Sequence, residues 1–132
     1  LILSMNKEQQ TKAIVSNKVP DDILTRSGKE NFLKSFQGIP FNDLSSSQQQ
    51  LLLHLINDYV SNLNTTLAAS YLKSLRQQEN KIYFGWWGST KTDGAIYYRV
   101  HGSGFIIEYC SRLHNANHVH TLWRDLDSDF GE

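Results

Sequence analysis

The strongest hydrophobic pattern in the first half of the chain lies in residues 44–63, LSSSQQQLLLHLINDYVSNL. Apolar side chains recur there every three or four residues, the spacing of an amphipathic helix. Ser45 and Gln48 form a capping box at its start. Leu51 and Leu53 lie outside this stripe, so the helix is predicted to be covered on more than one side. Either a partner segment or another chain would supply that cover.

Two further segments predict helices. Residues 64–80, NTTLAASYLKSLRQQEN, offer Asn64 or Thr65 as an N-cap before a second apolar stripe, and the short link predicts an antiparallel helix pair. Residues 3–15, LSMNKEQQTKAIV, offer Ser4 as an N-cap, and Pro20 disfavours helix at Val19. Residues 1–79 are therefore predicted to be helical.

In the second half the hydrophobic period changes from 3.6 residues to two. Four runs show this alternation and are separated by glycine and other turn residues: KIYFGWWG, AIYYRVHG, FIIEYC and HVHTLW. Residues 80–132 are therefore predicted to form an antiparallel meander of about four strands. Helices followed by strands give the α+β class, with residues 1–132 as a single domain or as the C-terminal part of a larger domain.

The composition of the chain indicates which classes of partner are disfavoured, but says little about its chemistry. The 132 residues are 39% hydrophobic and 20% charged, which is typical of a globular domain. Lysine plus arginine and aspartate plus glutamate each number 13, so no net charge favours a nucleic-acid partner. No apolar run reaches the ~18 residues of a membrane span. The chain begins at Leu1, and a secreted or periplasmic location is favoured only if a signal peptide was removed.

The one cysteine, Cys110, excludes a disulfide within the chain. It lies in an apolar run with strand alternation, which is typical of a buried structural thiol rather than of a nucleophile.

The candidate chemistry lies in the last strand. Alternation places His118, His120, Leu122 and Arg124 on one face of that strand. Side chains two apart on a strand lie about 7 Å apart at the Cα, so two imidazoles can bind one metal ion. Candidates for a third ligand are Glu108, His101, His114 and Asp125. The alternative is that both histidines are polar residues whose hydrogen bonds are satisfied within the sheet.

Three charged residues interrupt otherwise apolar strands: Arg99, Glu108 and Arg124. Adjacent strands would bring Arg99 and Glu108 opposite each other. The favoured interpretation is a structural ion pair that fixes strand register. The alternative is an anion or carboxylate clamp beside the histidines, because the arginine fork binds both carboxylate oxygens.

Several stretches, taken in order, carry a family resemblance: GIPFNDL, GWWGS, YYR, IIEY and NANHVHTLWRDLDSDFG. Together they resemble the C-terminal portion of the domain of unknown function family numbered 3500. The resemblance implies proteins more than twice this length, with a G-H-H-L-S or G-H-H-I-S segment that is absent here. It implies that such a histidine pair completes a four-histidine metal site. The residues that match the family pattern are Glu108, Asn117, His118, His120, Trp123, Arg124 and Asp125, whereas His101 departs from it.

The sequence therefore predicts a metal-binding enzyme domain of unstated reaction acting on a small-molecule substrate. His118 and His120 would bind copper or zinc, the metals that imidazole ligands suit. The predicted catalytic residues are Glu108 as a further ligand or a base, with Arg124 orienting a substrate carboxylate or that of Asp125. The competing hypothesis is a non-catalytic structural or interaction module.

Overall fold

The chain forms three α-helices and six β-strands within the part that the computed structural model describes, residues 1–27, 33, 35–91, 94–111 and 118–127. The helices are α1 (Lys7–Ala13), α2 (Ser46–Val60) and α3 (Thr65–Gln77). The strands are β1 (Ile14–Ser16), β2 (Ile39–Pro40), β3 (Tyr83–Gly88), β4 (Ile96–His101), β5 (Phe105–Ser111) and β6 (Val119–Asp125). The α+β class is confirmed.

All six strands belong to one sheet, in the order β1-β3-β4-β5-β6, with β2 also pairing with β3. Strands β3 to β6 form the predicted antiparallel meander. The other edge of β3 is shared by two short strands. β1 runs parallel beside Trp86 and Trp87, and β2 runs antiparallel beside Tyr83 and Phe84.

The sheet is therefore mixed, and the prediction of a purely antiparallel sheet is corrected in that respect. The extra strands lie within residues 1–79, which were predicted to be helical. Each has only two or three residues, too few for a period of two to show in the sequence. They form because β3 would otherwise leave its backbone N–H and C=O groups unpaired along one edge.

Glycine is required where the chain approaches this edge. Gly38 has a φ of 101°, a conformation that residues with a Cβ rarely adopt. A Cβ at this position would also overlap the carbonyl oxygen of Phe84. Gly38 thus allows the chain to enter β2 directly against β3.

The helix caps follow the sequence in two cases. Ser45 accepts a hydrogen bond from the Gln48 N–H, and the Gln48 side chain accepts one from the Ser45 N–H, so the predicted capping box of α2 is confirmed. Asn64 caps α3 by accepting from the Leu67 N–H.

The predicted cap of the first helix is wrong. Helix α1 begins after Asn6, which forms a reciprocal capping box with Gln9. Ser4 instead ends a 3-10 turn, Ile2–Ser4, where its hydroxyl donates to the Leu1 carbonyl. Two reciprocal hydrogen bonds at Asn6 satisfy more of the free N–H groups of a helix start than one serine can.

The helices cover one face of the sheet. Leu52, Ile56 and Val60 from α2 join Phe84 and Ile107 from the strands in one buried apolar core. Leu51 lies outside this core and is 45% exposed. The predicted cover by a partner segment or another chain stays a prediction. No helix in the described ranges is both long and apolar enough to cross a bilayer.

The segment between β1 and β2 covers the opposite face, as far as its described residues show. Ile23 from this segment packs with Trp87, Tyr97 and Cys110 from three strands. Cys110 is buried, as predicted. Arg99, Glu108 and Arg124 also project to this second face, and it is where the candidate site lies.

Candidate functional site

Strand alternation separates the predicted site residues. His120 contacts Asp22 and Arg124 contacts Thr25, so both side chains project from β6 toward the segment between β1 and β2. Asp125 projects toward the helices, where it accepts a hydrogen bond from the Tyr71 hydroxyl. Asp125 therefore lies on the opposite side of the sheet from the histidines, and its predicted role beside them is not favoured by this geometry.

The two histidines of the H-x-H pair lie close together. His118 immediately precedes β6 and His120 lies within it. Their ring centroids are 4.6 Å apart and their planes meet at 61°. His118 is exposed and His120 is partly exposed. The rings therefore share one side of the strand and both are open to solvent.

Asp22 holds the second histidine in place. Nδ1 of His120 lies 2.6 Å from Oδ1 of Asp22, which also accepts a hydrogen bond from the Ile23 N–H. These two hydrogen bonds, the one from His120 foremost, lower the pKa of Asp22, whereas burial opposes the shift. Because Asp22 occupies Nδ1, the Nε2 atom of His120 remains as the nitrogen that can bind a ligand.

No group of three His, Cys, Asp or Glu side chains placed to hold a metal occurs among the described residues. Of the predicted third ligands, Glu108 is occupied elsewhere and Asp125 faces the helices. His101 packs beneath Phe36, with ring centroids 4.4 Å apart. His114 lies outside the described residues, as does Asn117.

Glu108 is completely buried and accepts hydrogen bonds from four donors. Oε2 accepts from the Leu24 N–H at 2.7 Å and from the Tyr97 hydroxyl at 2.6 Å. Oε1 accepts from the Thr25 N–H at 2.9 Å and from the Thr25 hydroxyl. Burial and the charge of Glu108 raise the pKa of Tyr97, which keeps that phenol protonated as a donor.

Arg124 binds the same loop residue from the next strand. It is 4% exposed, and its Nη1 donates to the Thr25 carbonyl oxygen at 2.8 Å. Thr25 is thus held through its N–H and hydroxyl by Glu108 and through its C=O by Arg124. This arrangement favours a structural role for Glu108 and Arg124, and their predicted catalytic roles stay predictions.

Arg99 and Glu108 lie opposite each other in the register of β4 and β5, as predicted. Within the described part of the chain they nevertheless form no direct hydrogen bond. Arg99 instead donates from Nη2 to the side-chain oxygen of Gln37 at 2.7 Å, and its guanidinium carbon lies 5.1 Å from the centroid of the Trp87 ring. The predicted ion pair is not formed because the Glu108 oxygens are filled by the loop and by Tyr97.

The comparison with protein families decides the membership of the chain. The model of the family described as "Protein of unknown function (DUF3500)" matches residues 1–132. The chain belongs to the DUF3500 family. No curated protein and no solved structure matches it.

The extent of this match corrects one expectation. The resemblance to DUF3500 was assigned to a C-terminal portion, on stretches from Gly38 onward. The match instead includes the chain from Leu1, so the N-terminal helix and β1 are also part of what this chain shares with the family.

Asp22, Thr25 and Tyr97 are the residues of this DUF3500 chain that sequence reasoning missed. Asp22 and Thr25 lie in a segment with no hydrophobic period, where no spacing predicts which strand residue they meet. Tyr97 did carry a signal, because it lies two residues before Arg99 and so on the same face of β4.

Proposed function

We propose that this DUF3500 domain binds a divalent transition-metal ion, Cu²⁺ or Zn²⁺, through His118 and His120. The observation that supports the proposal is the closeness of the two rings, 4.6 Å between centroids, on the same side of the strand. Imidazole nitrogen is a preferred ligand of both metals.

The contact between Asp22 and His120 supports the same proposal. Histidines that bind metals usually donate their other ring N–H to a carboxylate, which fixes the tautomer and the ring orientation. Asp22 provides such a carboxylate at 2.6 Å from Nδ1. The proton of His120 would then lie on Nδ1, and Nε2 would present its lone pair to the ion.

The donor set favours copper over zinc. Two imidazoles fall short of the three protein ligands that catalytic zinc sites use, whereas Cu²⁺ binds nitrogen ligands more strongly than the other first-row divalent ions. The exposed faces of His118 and His120 leave the remaining positions to water or to a small-molecule substrate. Glu108 and Arg124 are occupied in holding Thr25 and are not part of the proposed metal site.

Metal titration tests this proposal. Isothermal titration calorimetry with Cu²⁺ and with Zn²⁺ should show one ion bound per chain, with Cu²⁺ bound more tightly. The double variant His118→Ala plus His120→Ala should lose that binding. His54→Ala is the matched control, because His54 is exposed on α2, away from the sheet. Equal binding by the double variant, or no binding by the unaltered chain, would contradict the proposal.

The competing proposal is a non-catalytic structural module. It is favoured by Glu108, whose contacts to the loop and to Tyr97 hold elements of the fold together. Absence of metal binding, together with unchanged stability in the double histidine variant, would support it.

A further inference from the structure

Arg99 is a buried cation whose hydrogen bonds are incomplete. Arg99 is 1% exposed, and the hydrogen bond from its Nη2 to the side-chain oxygen of Gln37 satisfies only part of the guanidinium. Its Nε and Nη1 are buried and have no hydrogen-bond partner within the described residues. A buried guanidinium without an anion is strongly disfavoured, because its charge has lost water and gained nothing equivalent.

The carboxylate opposite Arg99 does not bind it. Glu108 lies opposite Arg99 in the register of β4 and β5, but its two oxygens accept from four other donors. His101 adds no charge near neutral pH, because burial and the charge of Arg99 lower its pKa to about 4. The positive charge of Arg99 is therefore not satisfied by a hydrogen bond to Glu108.

The nitrogens of Arg99 that lack partners could make a two-point contact. A guanidinium carries five N–H groups, and two of its edges each present a parallel pair that includes one N–H of Nη2. Gln37 takes one N–H of Nη2, so the pair on the other edge remains complete. A parallel pair of N–H donors matches the two oxygens of a carboxylate.

The surroundings of Arg99 add a polar atom and several rings. Nδ1 of His101, two residues along the same face, is buried and also lacks a partner. Phe36 packs on His101 and is itself 43% exposed, and Gln37 is exposed as well. The imidazole therefore lies directly beneath the exposed Phe36, and the guanidinium lies between the exposed Gln37 and the ring of Trp87.

We propose that Arg99 binds the carboxylate of a small organic acid, with His101 as a second polar contact. A carboxylate carries one negative charge, which matches the one positive charge of Arg99, whereas a phosphate dianion would exceed it. The adjacent rings of Trp87 and Phe36 favour an acid with an apolar or aromatic body. This site needs no metal and uses neither His118 nor His120.

Benzoate and acetate are suitable probes, with phosphate and chloride for comparison at matched ionic strength and with a chelator present. Benzoate should raise the melting temperature of the unaltered chain and bind more tightly than acetate, and both should bind more tightly than phosphate. Arg99→Met should abolish the response, and Arg99→Lys should weaken binding about tenfold or more, because lysine offers no fork. Arg76→Met, which alters an exposed arginine on α3, is the control and should respond normally.

Gln37→Glu gives an independent test that leaves Arg99 in place. The new carboxylate would lie against Arg99 and neutralise its charge, so this variant should be more stable and should bind benzoate much more weakly. Benzoate binding unaltered in Gln37→Glu or in Arg99→Met, no carboxylate binding by the unaltered chain, or tighter binding of phosphate would overturn the proposal. The double variant His118→Ala plus His120→Ala should keep the benzoate response, which separates this site from the metal site.

Discussion

Glu108 and Asp22 are two carboxylates on the same side of the sheet, in opposite circumstances. Glu108 is inaccessible to solvent and its oxygens accept from four donors. Asp22 is partly exposed and contacts His120, whose ring remains open to solvent on its other side. Glu108 is therefore part of a hydrogen-bond network inside the fold, whereas Asp22 supports a histidine whose ring is open to solvent.

This difference indicates which carboxylate stabilises the fold and which can assist binding. A buried charge with every acceptor filled cannot be released without exposing its donors, so Glu108 is suited to holding the loop on the sheet. A partly exposed carboxylate that orients an imidazole contributes little to stability but sets the direction of a ligand nitrogen.

Removing the charge of Glu108 should have the largest effect on stability. Glu108→Gln keeps the shape but turns one oxygen into an amide that cannot accept from the loop N–H or from Tyr97. It also removes a buried charge that accepts four hydrogen bonds, so we expect a loss of about 3–5 kcal/mol in the free energy of unfolding. Urea denaturation measures this change.

The control for this variant is Glu8→Gln, which alters an exposed glutamate whose contact with Lys12 is 3.7 Å long. Its effect should stay within about 0.5 kcal/mol. A similarly small effect of Glu108→Gln would mean that the buried network does not stabilise the fold as described.

The dependence of stability on pH should distinguish the buried His101 from the partly exposed Asp22. The pKa of His101 is lowered from 6.5 to about 4, first by burial and then by the charge of Arg99. Between these values the unfolded chain binds a proton at His101 that the folded chain does not. The contribution of His101 to the free energy of unfolding should therefore be fully present above about pH 6.5. It should decrease by about 3 kcal/mol as the pH falls toward 4.

His101→Gln should remove this part of the acid sensitivity, as followed by urea denaturation at several pH values. His54→Gln, at an exposed position on α2, should leave the profile unchanged. Asp22 acts in a lower range, because its pKa is also lowered and its contribution disappears only as pH falls below its ordinary value of 3.8. An unchanged profile in His101→Gln would show that the histidine is not held neutral by the fold.

The smallest effect on stability should come from Asp22→Asn. The pair with His120 is partly exposed, so the loss should be under about 1 kcal/mol. Metal affinity should nevertheless fall about tenfold or more, since the carboxylate that orients the imidazole is lost. Denaturation and calorimetric titration of the same variant measure both quantities. A loss of stability as large as that of Glu108→Gln would remove the distinction between the two carboxylates.

Local spacing predicted much of this fold. The capping box at Ser45 and the four meander strands follow from patterns within a few residues, and both are confirmed. The same alternation already placed Asp125 on the other face of β6 from His120, an odd number of residues away. The alternation of β6 alone therefore indicates that Asp125 does not lie beside the histidines.

Contacts between distant segments could not be predicted in this way. Thr25 meets Glu108 across 83 positions of the chain, and Asp22 meets His120 across 98. The loop that carries them has no period, and its path is set by which strand groups need partners. The strand pattern therefore indicated an ion pair between Arg99 and Glu108. In the structure, donors from the loop bind the Glu108 carboxylate, and Arg99 forms no hydrogen bond with it.

The attachment of Thr25 to β5 and β6 has a consequence for motion. A surface loop usually opens by itself and exchanges its amide hydrogens quickly, yet the amides of Leu24 and Thr25 donate to a carboxylate beneath them. Lifting this loop would leave Glu108 without its donors, so its opening is tied to disruption of the sheet. Residues 22–25, which form no helix or strand, thereby become part of the cooperative folding unit.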